Sequence, residues 1–303
     1  MALGGIPLLS FAKSLPEFII SESAPIKVYL FSKHLQFLNY MEMSEAAAEM
    51  GFDGLDLTVR SGGHIDPGQV LEELPKAVKA MENYDLQPGM MTTSILDASN
   101  TQQLRVLETA SRLGITHYRT GWLKYPDDIA ISEAQEKFAG HFRELETINR
   151  DLGLIGCYQN HSGAHVGAPV WDIPQILKKT QNTHMGMQYD IRHAVVEGSQ
   201  SWELGLRLVQ PHIKSIVIKD FKWGQVNGKW QPVNTPLGKG MVDFKRFFSL
   251  LKQYQINVPI SLHLEYYLGG AEKGLNTVSM ERTEIFRHMK TDLNFLRTTW
   301  EQA

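Results

Sequence analysis

The stretch MGMQYDIRHAVVEG, Met185 to Gly198, changes abruptly from an apolar run to a polar cluster. Apolar residues alternate with smaller or polar ones in its first half, which predicts a short β-strand that ends at Asp190. Arg192 and His193 follow directly. In a parallel α/β protein, ligands bind where side chains from several strand ends converge. The stretch therefore predicts a strand followed by a loop that carries a candidate site, and the competing interpretation is an Asp that caps the next helix beside a surface His.

The same alternation of strand and helix recurs along the chain. Eight strands are predicted: Ile26–Phe31, Phe52–Val59, Pro88–Ser94, Thr116–Trp122, Leu154–Asn160, Met185–Asp190, Ile213–Asp220 and Pro259–Tyr266. Helical patterns lie between them, and several stop at a glycine before the next strand, as at Gly51, Gly114 and Gly153. Such alternation implies right-handed βαβ units and a parallel sheet. Eight units in 303 residues predict one closed (β/α)8 TIM barrel over residues 26–303.

A doubly wound open sheet is the competing architecture, and it usually has a glycine-rich loop after its first strand. Here the first strand runs into SKHLQFLNYMEM, Ser32 to Met43, which contains no glycine. The dinucleotide and P-loop fingerprints are both absent, so no nucleotide cofactor is expected. The segment Gly224 to Gly240 predicts a long loop with a hairpin at Asn227 and Gly228, placed over the mouth of the barrel.

Composition excludes several classes of partner. A net charge of −3 and a pI near 6.4 argue against nucleic acid, which needs a concentrated basic surface. The single Cys157 excludes an internal disulfide framework. No apolar run approaches the roughly 18 residues of a membrane span. A small molecule is therefore the expected partner, and the sequence leaves assembly into a homo-oligomer open.

Residues 1–25 predict either an irregular arm or the remainder of a clipped export leader. A short apolar run ends near Ala12, but no Lys or Arg precedes it, as a secretory leader normally requires. Cytoplasmic and exported locations both stay open.

Polar side chains gather at the ends of the predicted strands. They are His64 after strand two, Trp122 after four, Gln159, Asn160 and His161 after five, Asp190, Arg192 and His193 after six, Lys219 after seven, and Glu265 on eight. Side chains alternate between the two faces of a strand. If the relevant faces point inward, Gln159, Asp190, Lys219 and Glu265 meet around one cavity. Two carboxylates, an ammonium and an amide suit a polyhydroxylated or carboxylate-bearing ligand.

Six short strings occur in an order that is more specific than any one of them. They are GFDGLDL at 51–57, NHSG at 160–163, the Asp190 to His193 spacing, IKD at 218–220, PLGKGMVDF at 236–244 and LHLEYY at 262–267. Together they resemble the sugar phosphate isomerase/epimerase family of xylose isomerase-like TIM barrels, the AP endonuclease family 2 relatives. The resemblance covers nearly the whole chain. It implies a TIM barrel that acts on a sugar or sugar derivative.

The resemblance also implies a divalent metal, Mn, Mg or Zn, held by a Glu, an Asp, a His and a second Glu. The matching positions are Gln159, Asp190, Val217 and Glu265. Only Asp190 and Glu265 remain as metal ligands, because an amide is a weak neutral ligand and valine is none. Affinity for the metal should fall, so an atypical site is expected, one that holds the metal weakly or works without it.

The replacement of a family glutamate by Gln159 also limits the reactions that the site could catalyse. The family's paired glutamates exchange a proton beside a carbonyl, and Gln159 cannot act as a base, so Glu265 is the remaining candidate base. Lys219 could replace part of the lost cation, or it could simply pair with an Asp to tie strand seven to its neighbour. His193 completes the predicted catalytic set; the predicted ligand-binding residues are Gln159, Asn160, His161, Asp190, Arg192, His64 and Trp122.

Two functions therefore stay open. The first is a sugar isomerase or epimerase, or a keto-sugar lyase, that removes a proton beside a carbonyl. The second is a carbohydrate- or sugar-acid-binding barrel without catalysis, which Gln159 and Val217 would explain. An abasic-site endonuclease fits poorly, because it needs more histidine ligands and a basic face.

Overall fold

A computed structural model describes residues 25–303, and its strands close into a barrel. The eight barrel strands are β1 (Val28–Phe31), β2 (Gly54–Thr58), β3 (Gln87–Thr92), β4 (His117–Arg119), β5 (Ile155–Gln159), β6 (Met185–Asp190), β7 (Ile213–Ile218) and β10 (Ile260–Leu262). All neighbours are parallel, and β10 closes the barrel by pairing with β7 on one side and β1 on the other. The predicted (β/α)8 fold is confirmed.

Helices surround the barrel between successive strands. They are α1 (Tyr40–Met50), α2 (Val70–Glu82), α3 (Thr101–Arg112), α4 (Ile131–Leu152), α5 (Ile173–Leu177), α6 (Ile191–Gly198), α7 (Trp202–Val209), α8 (Phe244–Gln253) and α9 (Arg282–Glu301). Helices α1 and α4 stop at Gly51 and Gly153, whose positive φ angles of 94° and 68° confirm the predicted glycine stops. Among residues 25–303, no helix is both long and apolar enough to cross a membrane.

The prediction of a loop after β6 is wrong, and the competing interpretation of Asp190 as the cap of the next helix is confirmed. Helix α6 begins immediately after Asp190, whose carboxylate accepts a hydrogen bond of 3.1 Å from the backbone N–H of His193. This bond satisfies one of the N–H groups that a helix leaves unpaired at its start. Arg192 and His193 therefore occupy the first turn of a helix and are both buried, instead of lying in a loop or on the surface.

Several strands end earlier than predicted. β4 ends at Arg119 instead of Trp122, and β10 ends at Leu262 instead of Tyr266. The ladder stops at Leu262 because its partners stop there: β1 gives way to a 3₁₀ turn at Ser32–Leu35, and β7 ends at Ile218. The segment that carries His263 and Glu265 thus extends beyond the barrel, toward its open mouth.

Close packing of Gln87 and Tyr29 against the start of β2 explains the second glycine of GFDGLDL, Gly54. A Cβ on Gly54 would lie 2.2 Å from the carbonyl oxygen of Gln87 and 2.7 Å from the ring of Tyr29. The ring of Tyr29 therefore occupies the space that any larger residue at position 54 would need.

The predicted hairpin is confirmed, and it is more regular than a loop. Strands β8 (Asp220–Val226) and β9 (Lys229–Thr235) pair antiparallel around Asn227 and Gly228, both of which have positive φ. At the base of this hairpin, the Asp220 carboxylate accepts four backbone N–H groups, at distances of 2.8 to 3.2 Å: those of Phe221, Gly238, Gly240 and Val242. The arm or leader predicted for residues 1–25 lies outside the described residues except for Pro25.

Candidate functional site

Asp190 is the centre of a buried polar network at the carboxyl end of β6. Its side chain has no exposed surface, and its Oδ2 accepts hydrogen bonds from Gln159 Nε2 at 2.8 Å and from the Lys219 ammonium at 3.0 Å. Its Oδ1 accepts the N–H of His193. Both carboxylate oxygens are therefore engaged. The structure thus brings Gln159, Asp190 and Lys219 into direct contact, as the sequence predicts.

The His193 ring lies between Lys219, Arg192 and Ser162. Its Nε2 lies 2.9 Å from Lys219 Nζ, and its Nδ1 lies 2.8 Å from Ser162 Oγ and 3.0 Å from Arg192 Nη1. Because ammonium and guanidinium groups can only donate and a neutral imidazole accepts at one nitrogen, only one of these two cations donates to the ring. Burial, followed by the charge of Lys219, holds the pKa of His193 well below its ordinary value. The imidazole is therefore neutral and uses both nitrogens within the protein.

Asn160 and Gln159 extend the network on the side of β5. Asn160 accepts the backbone N–H of Asp190 at 2.8 Å and donates to its carbonyl oxygen at 3.0 Å. It thereby continues the pairing of β5 with β6 beyond the end of the ladder. The amide oxygen of Gln159 accepts a bond of 3.3 Å from Arg119, whose guanidinium lies 4.1 Å from the ring centroid of Trp122.

Glu265 belongs to a second network, on the other side of β7. Lys33, two residues after β1, donates to both Glu265 oxygens at 3.0 and 3.1 Å. The side chain of Glu265 remains 24% exposed, whereas that of Asp190 is fully buried. His263 Nδ1 lies 3.8 Å from Glu265 Oε1, and its ring stacks on Phe31 at 4.1 Å. Glu265 is therefore a carboxylate that a ligand in the barrel mouth can reach.

The charges around Glu265 determine its protonation. Burial alone would raise its pKa, but His263, Lys33 and Lys219 together hold the pKa well below the ordinary value. Lys219, one of these charges, binds Asp190 in the first network. Glu265 is thus ionised at neutral pH.

A line of polar groups runs from Glu265 into the barrel. His263 Nε2 lies 3.1 Å from Ser261 Oγ, and that hydroxyl donates to Asp56 at 2.6 Å. Thr92 also donates to Asp56, at 3.0 Å. Asp56 is fully buried, and this burial raises its pKa. The His263 ring is therefore held by Ser261 on the side that faces into the barrel, in addition to its stacking on Phe31.

The remaining predicted ligand-binding residues occupy different places. His161 is half-buried, and its ring packs against His193 at 4.0 Å and Trp122 at 4.8 Å, forming an aromatic wall beside Asp190. Arg192 donates to Ser162 at 3.3 Å and lies 5.4 Å from the ring of Phe221, at the base of the hairpin.

His64 does not form part of either network. Its Nε2 donates to the carbonyl oxygen of Leu35 at 3.2 Å, and its backbone N–H bonds to Thr58 at 2.9 Å. Burial lowers its pKa to about 4. These bonds join the loop after β2 to the turn after β1. A role in binding ligand stays a prediction, as do the predicted roles of the other site residues.

Sequence reasoning missed Lys33, Arg119 and the connecting role of His263. Lys33 lies two residues after β1 and Lys219 one residue after β7, so a search for cations within two residues of every strand end would have found it.

A family model described as "Xylose isomerase-like TIM barrel" matches residues 44–284. The chain belongs to the xylose isomerase-like TIM barrel family. No curated protein matches the chain in sequence.

Similar solved structures support the fold of this xylose isomerase-like barrel. They include a D-allulose 3-epimerase from Methylomonas sp. (15% identity, 91% of this chain and 98% of that one, TM-score 0.67). They also include the 3-keto-D-glucoside 4-epimerase of E. coli (14%, 90% and 99%, TM-score 0.64) and the probable 3-DHS dehydratase AsbF of Bacillus anthracis (12%, 89% and 98%, TM-score 0.63).

The residues present do not fit the metal that the family resemblance implies. Val217, at the position of the histidine ligand, is a fully buried hydrocarbon, and Gln159 donates its amide N–H to Asp190. The two retained carboxylates are each bound by a lysine. Among residues 25–303, no three His, Cys, Asp or Glu side chains are grouped so that they could hold a metal ion. Hard divalent cations prefer several oxygen ligands.

Proposed function

We propose that this barrel is a sugar isomerase or epimerase, or a lyase of a keto sugar, in which Glu265 removes a proton from the carbon beside a carbonyl. The main observation behind this proposal is that Glu265 is ionised, partly exposed and flanked by ammonium groups at the mouth of the barrel. Epimerisation and dehydration beside a carbonyl both begin with loss of a C–H proton. The names of the similar structures, two epimerases and a probable dehydratase, support this class of chemistry.

The proton and electrons can be followed through the reaction. The C–H proton moves to the Glu265 carboxylate, and the electron pair moves into the carbonyl to form an enediolate oxygen. Lys33 and Lys219 would stabilise that negative oxygen. In an isomerisation, the proton of the adjacent hydroxyl moves to the enediolate oxygen, the new carbonyl forms at the carbon that lost its proton, and Glu265 returns its proton to the former carbonyl carbon. In an elimination, the enediolate electrons re-form the carbonyl and a carbon–carbon double bond, and the hydroxyl on the next carbon leaves as water with the proton from Glu265.

Gln159 decides between one-base and two-base chemistry. An epimerisation that removes a proton on one face and returns it on the other needs a second base. An amide at position 159 cannot provide one, and its oxygen and nitrogen already bond to Arg119 and Asp190. The site therefore favours isomerisation or elimination, each of which needs a single base.

Because Glu265 is paired with Lys33, its basicity depends on whether a ligand is bound. In the free protein Lys33 helps to hold the pKa of Glu265 low, which makes the carboxylate a weak base. A ligand carbonyl oxygen that accepts a hydrogen bond from the Lys33 ammonium weakens the ion pair of Lys33 with Glu265. The basicity of Glu265 then rises. Catalysis would thus begin when the correct ligand draws Lys33 away.

Positive charge around the mouth supports a substrate that carries or develops negative charge. Arg60, Arg119 and Arg192 each have an Nε that is buried without a hydrogen-bond partner in the described part of the chain. Together with Lys33 and Lys219, these guanidinium groups make the surroundings of the mouth cationic. This charge favours a keto-sugar acid over a neutral sugar.

Deuterium exchange tests the proposal even when the product has not been identified. The protein is incubated in D2O with D-allulose, D-tagatose, D-fructose or 5-keto-D-gluconate, and proton NMR follows the hydrogen beside the carbonyl. We expect catalysed exchange with at least one of these sugars and a loss of roughly 10²-fold or more in Glu265→Gln. Glu284→Gln, on the exposed face of α9, is the matched control and should exchange at the wild-type rate.

A binding protein without catalysis is the second candidate, favoured by Gln159 and Val217. It predicts that a sugar raises the melting temperature while exchange stays at the uncatalysed rate. Exchange that persists in Glu265→Gln would show that another residue is the base.

A further inference from the structure

The two carboxylates that the family uses for its metal face two lysines here. Asp190 lies at the end of β6 and Glu265 beyond β10, and β7 runs between these strands. Lys219 follows β7 and reaches Asp190, while Lys33 follows β1 and reaches Glu265 from the opposite side of β10. Each carboxylate thus has its own ammonium group, delivered from a neighbouring strand.

These contacts cover the oxygens that a cation would need. Lys33 Nζ bridges both oxygens of Glu265 at 3.0 and 3.1 Å. Lys219 Nζ and the Gln159 amide share Oδ2 of Asp190, and the His193 backbone N–H takes Oδ1. A divalent cation binds carboxylate oxygens at roughly 2.0 to 2.6 Å and would be repelled by an ammonium group so close to its ligands.

The charge of the two lysines matches the charge that they would replace. Two ammonium groups carry the charge of one divalent cation, and they are distributed over the same two carboxylates. The ion pair with Asp190 at 3.0 Å holds the Lys219 ammonium in place, and the His193 ring lies against it with Nε2 at 2.9 Å. The site therefore has a fixed source of positive charge that depends on no metal supply.

We propose that Lys33 and Lys219 take the place of the divalent cation in this barrel, and that its mouth holds ligand oxygens with ammonium groups and does not bind a divalent metal. The proposal concerns the contents of the site and does not depend on which reaction, if any, the site performs. It predicts that removal of the lysines creates affinity for a cation, which a purely structural role of these residues would not do.

Mn²⁺ binding to the full chain tests the proposal directly. After dialysis against EDTA, electron paramagnetic resonance measures free Mn²⁺ during titration of the wild type and of Lys33→Met/Lys219→Met. We expect the double variant to bind one Mn²⁺ with an affinity at least about tenfold above the wild type. Lys76→Met/Lys79→Met is the control, because these lysines pair with Glu73 and Glu82 on the exposed face of α2, and it should match the wild type.

Two results would overturn the proposal. One is a wild type that binds one equivalent of Mn²⁺ tightly and loses it in Asp190→Asn. The other is equal Mn²⁺ affinity in the wild type and the double variant. If the double variant does not fold, Lys33→Met alone is titrated, since its pair is the more exposed. An increase in Mn²⁺ affinity there supports the proposal, and an unchanged affinity contradicts it. Because the readout is metal binding, failure here leaves the exchange test of Glu265 unaffected.

Discussion

The two carboxylate–lysine pairs at the barrel mouth are made from the same groups but differ in surroundings. In the pair of Asp190 and Lys219, the side chains are 0% and 8% exposed. In the pair of Glu265 and Lys33, they are 24% and 15% exposed. Asp190 also accepts the N–H of His193 and the amide of Gln159, whereas Glu265 has Lys33 and the more distant His263.

This difference assigns the pairs to different tasks. A buried carboxylate with every oxygen engaged cannot accept a proton from a ligand unless several bonds break first, so Asp190 organises the site. A carboxylate that is paired with one lysine and partly exposed can change partners, so Glu265 is the group available for chemistry. A fully buried pair costs more to break than a pair that water can partly reach.

The strongest challenge to this comparison is Asp190→Asn. Asparagine can still cap α6, so the change removes mainly the charge and leaves the Lys219 ammonium buried without a counter-ion. We expect the free energy of unfolding in urea to fall by about 3–5 kcal/mol. Glu265→Gln should lose clearly less in the same measurement, because water partly reaches its side chain. Equal losses in the two variants would show that the pairs are not different in kind.

Removal of the lysines sharpens the comparison. Lys219→Met leaves Asp190 with two neutral donors, Gln159 and the His193 N–H, so we expect a loss of about 2–3 kcal/mol. Lys33→Met should cost no more than about 1 kcal/mol, because Glu265 can be hydrated. Urea unfolding of both variants at pH 7 measures the difference, and a larger loss in Lys33→Met would reverse our assignment.

The smallest effect concerns pH. The pKa of Glu265 is well below its ordinary value of 4.5 in the folded protein, so the unfolded chain binds protons first as the pH falls. The stabilisation that Glu265 provides is therefore fully present above pH 4.5 and is lost as the pH falls through the folded pKa. The stability difference between the wild type and Glu265→Gln should stay constant above about pH 5 and narrow below it. A difference that grows on acidification would contradict the depressed pKa.

Much of the fold could be predicted because periodicity and glycine stops are local signals. The order of strands and helices indicated the closed barrel, and Asn227 and Gly228 indicated the hairpin. The start of α6 could not be separated from a loop, because a helix of 8 residues is too short to show a clear periodic pattern, and the deciding bond joins Asp190 to a backbone group. Strand ends were too long by up to four residues, as at Tyr266, since a ladder stops where its neighbours stop.

The site was predictable only where neighbouring strands are consecutive in sequence. Gln159, Asp190 and Lys219 come from β5, β6 and β7, so adjacency alone predicted their contact. Lys33 and Glu265 are separated by 232 positions and meet only because β10 closes against β1. Which of several cations a carboxylate chooses depends on side-chain geometry, which no pattern in the sequence encodes.

Asp220 anchors the β8–β9 hairpin above the mouth, so that the hairpin can vary without changing the barrel. Because one carboxylate fastens both ends of the β8–β9 hairpin, the hairpin is attached largely through backbone groups, and Asn234 near its base adds a bond of 3.3 Å to the carbonyl oxygen of Glu265. The stretch from Lys222 to Val233 can therefore be exchanged for a longer or shorter one while these ends remain in place. We expect such grafts to change which molecules enter the barrel and to leave its strands intact. The hairpin is therefore the natural starting point for redesigning selectivity.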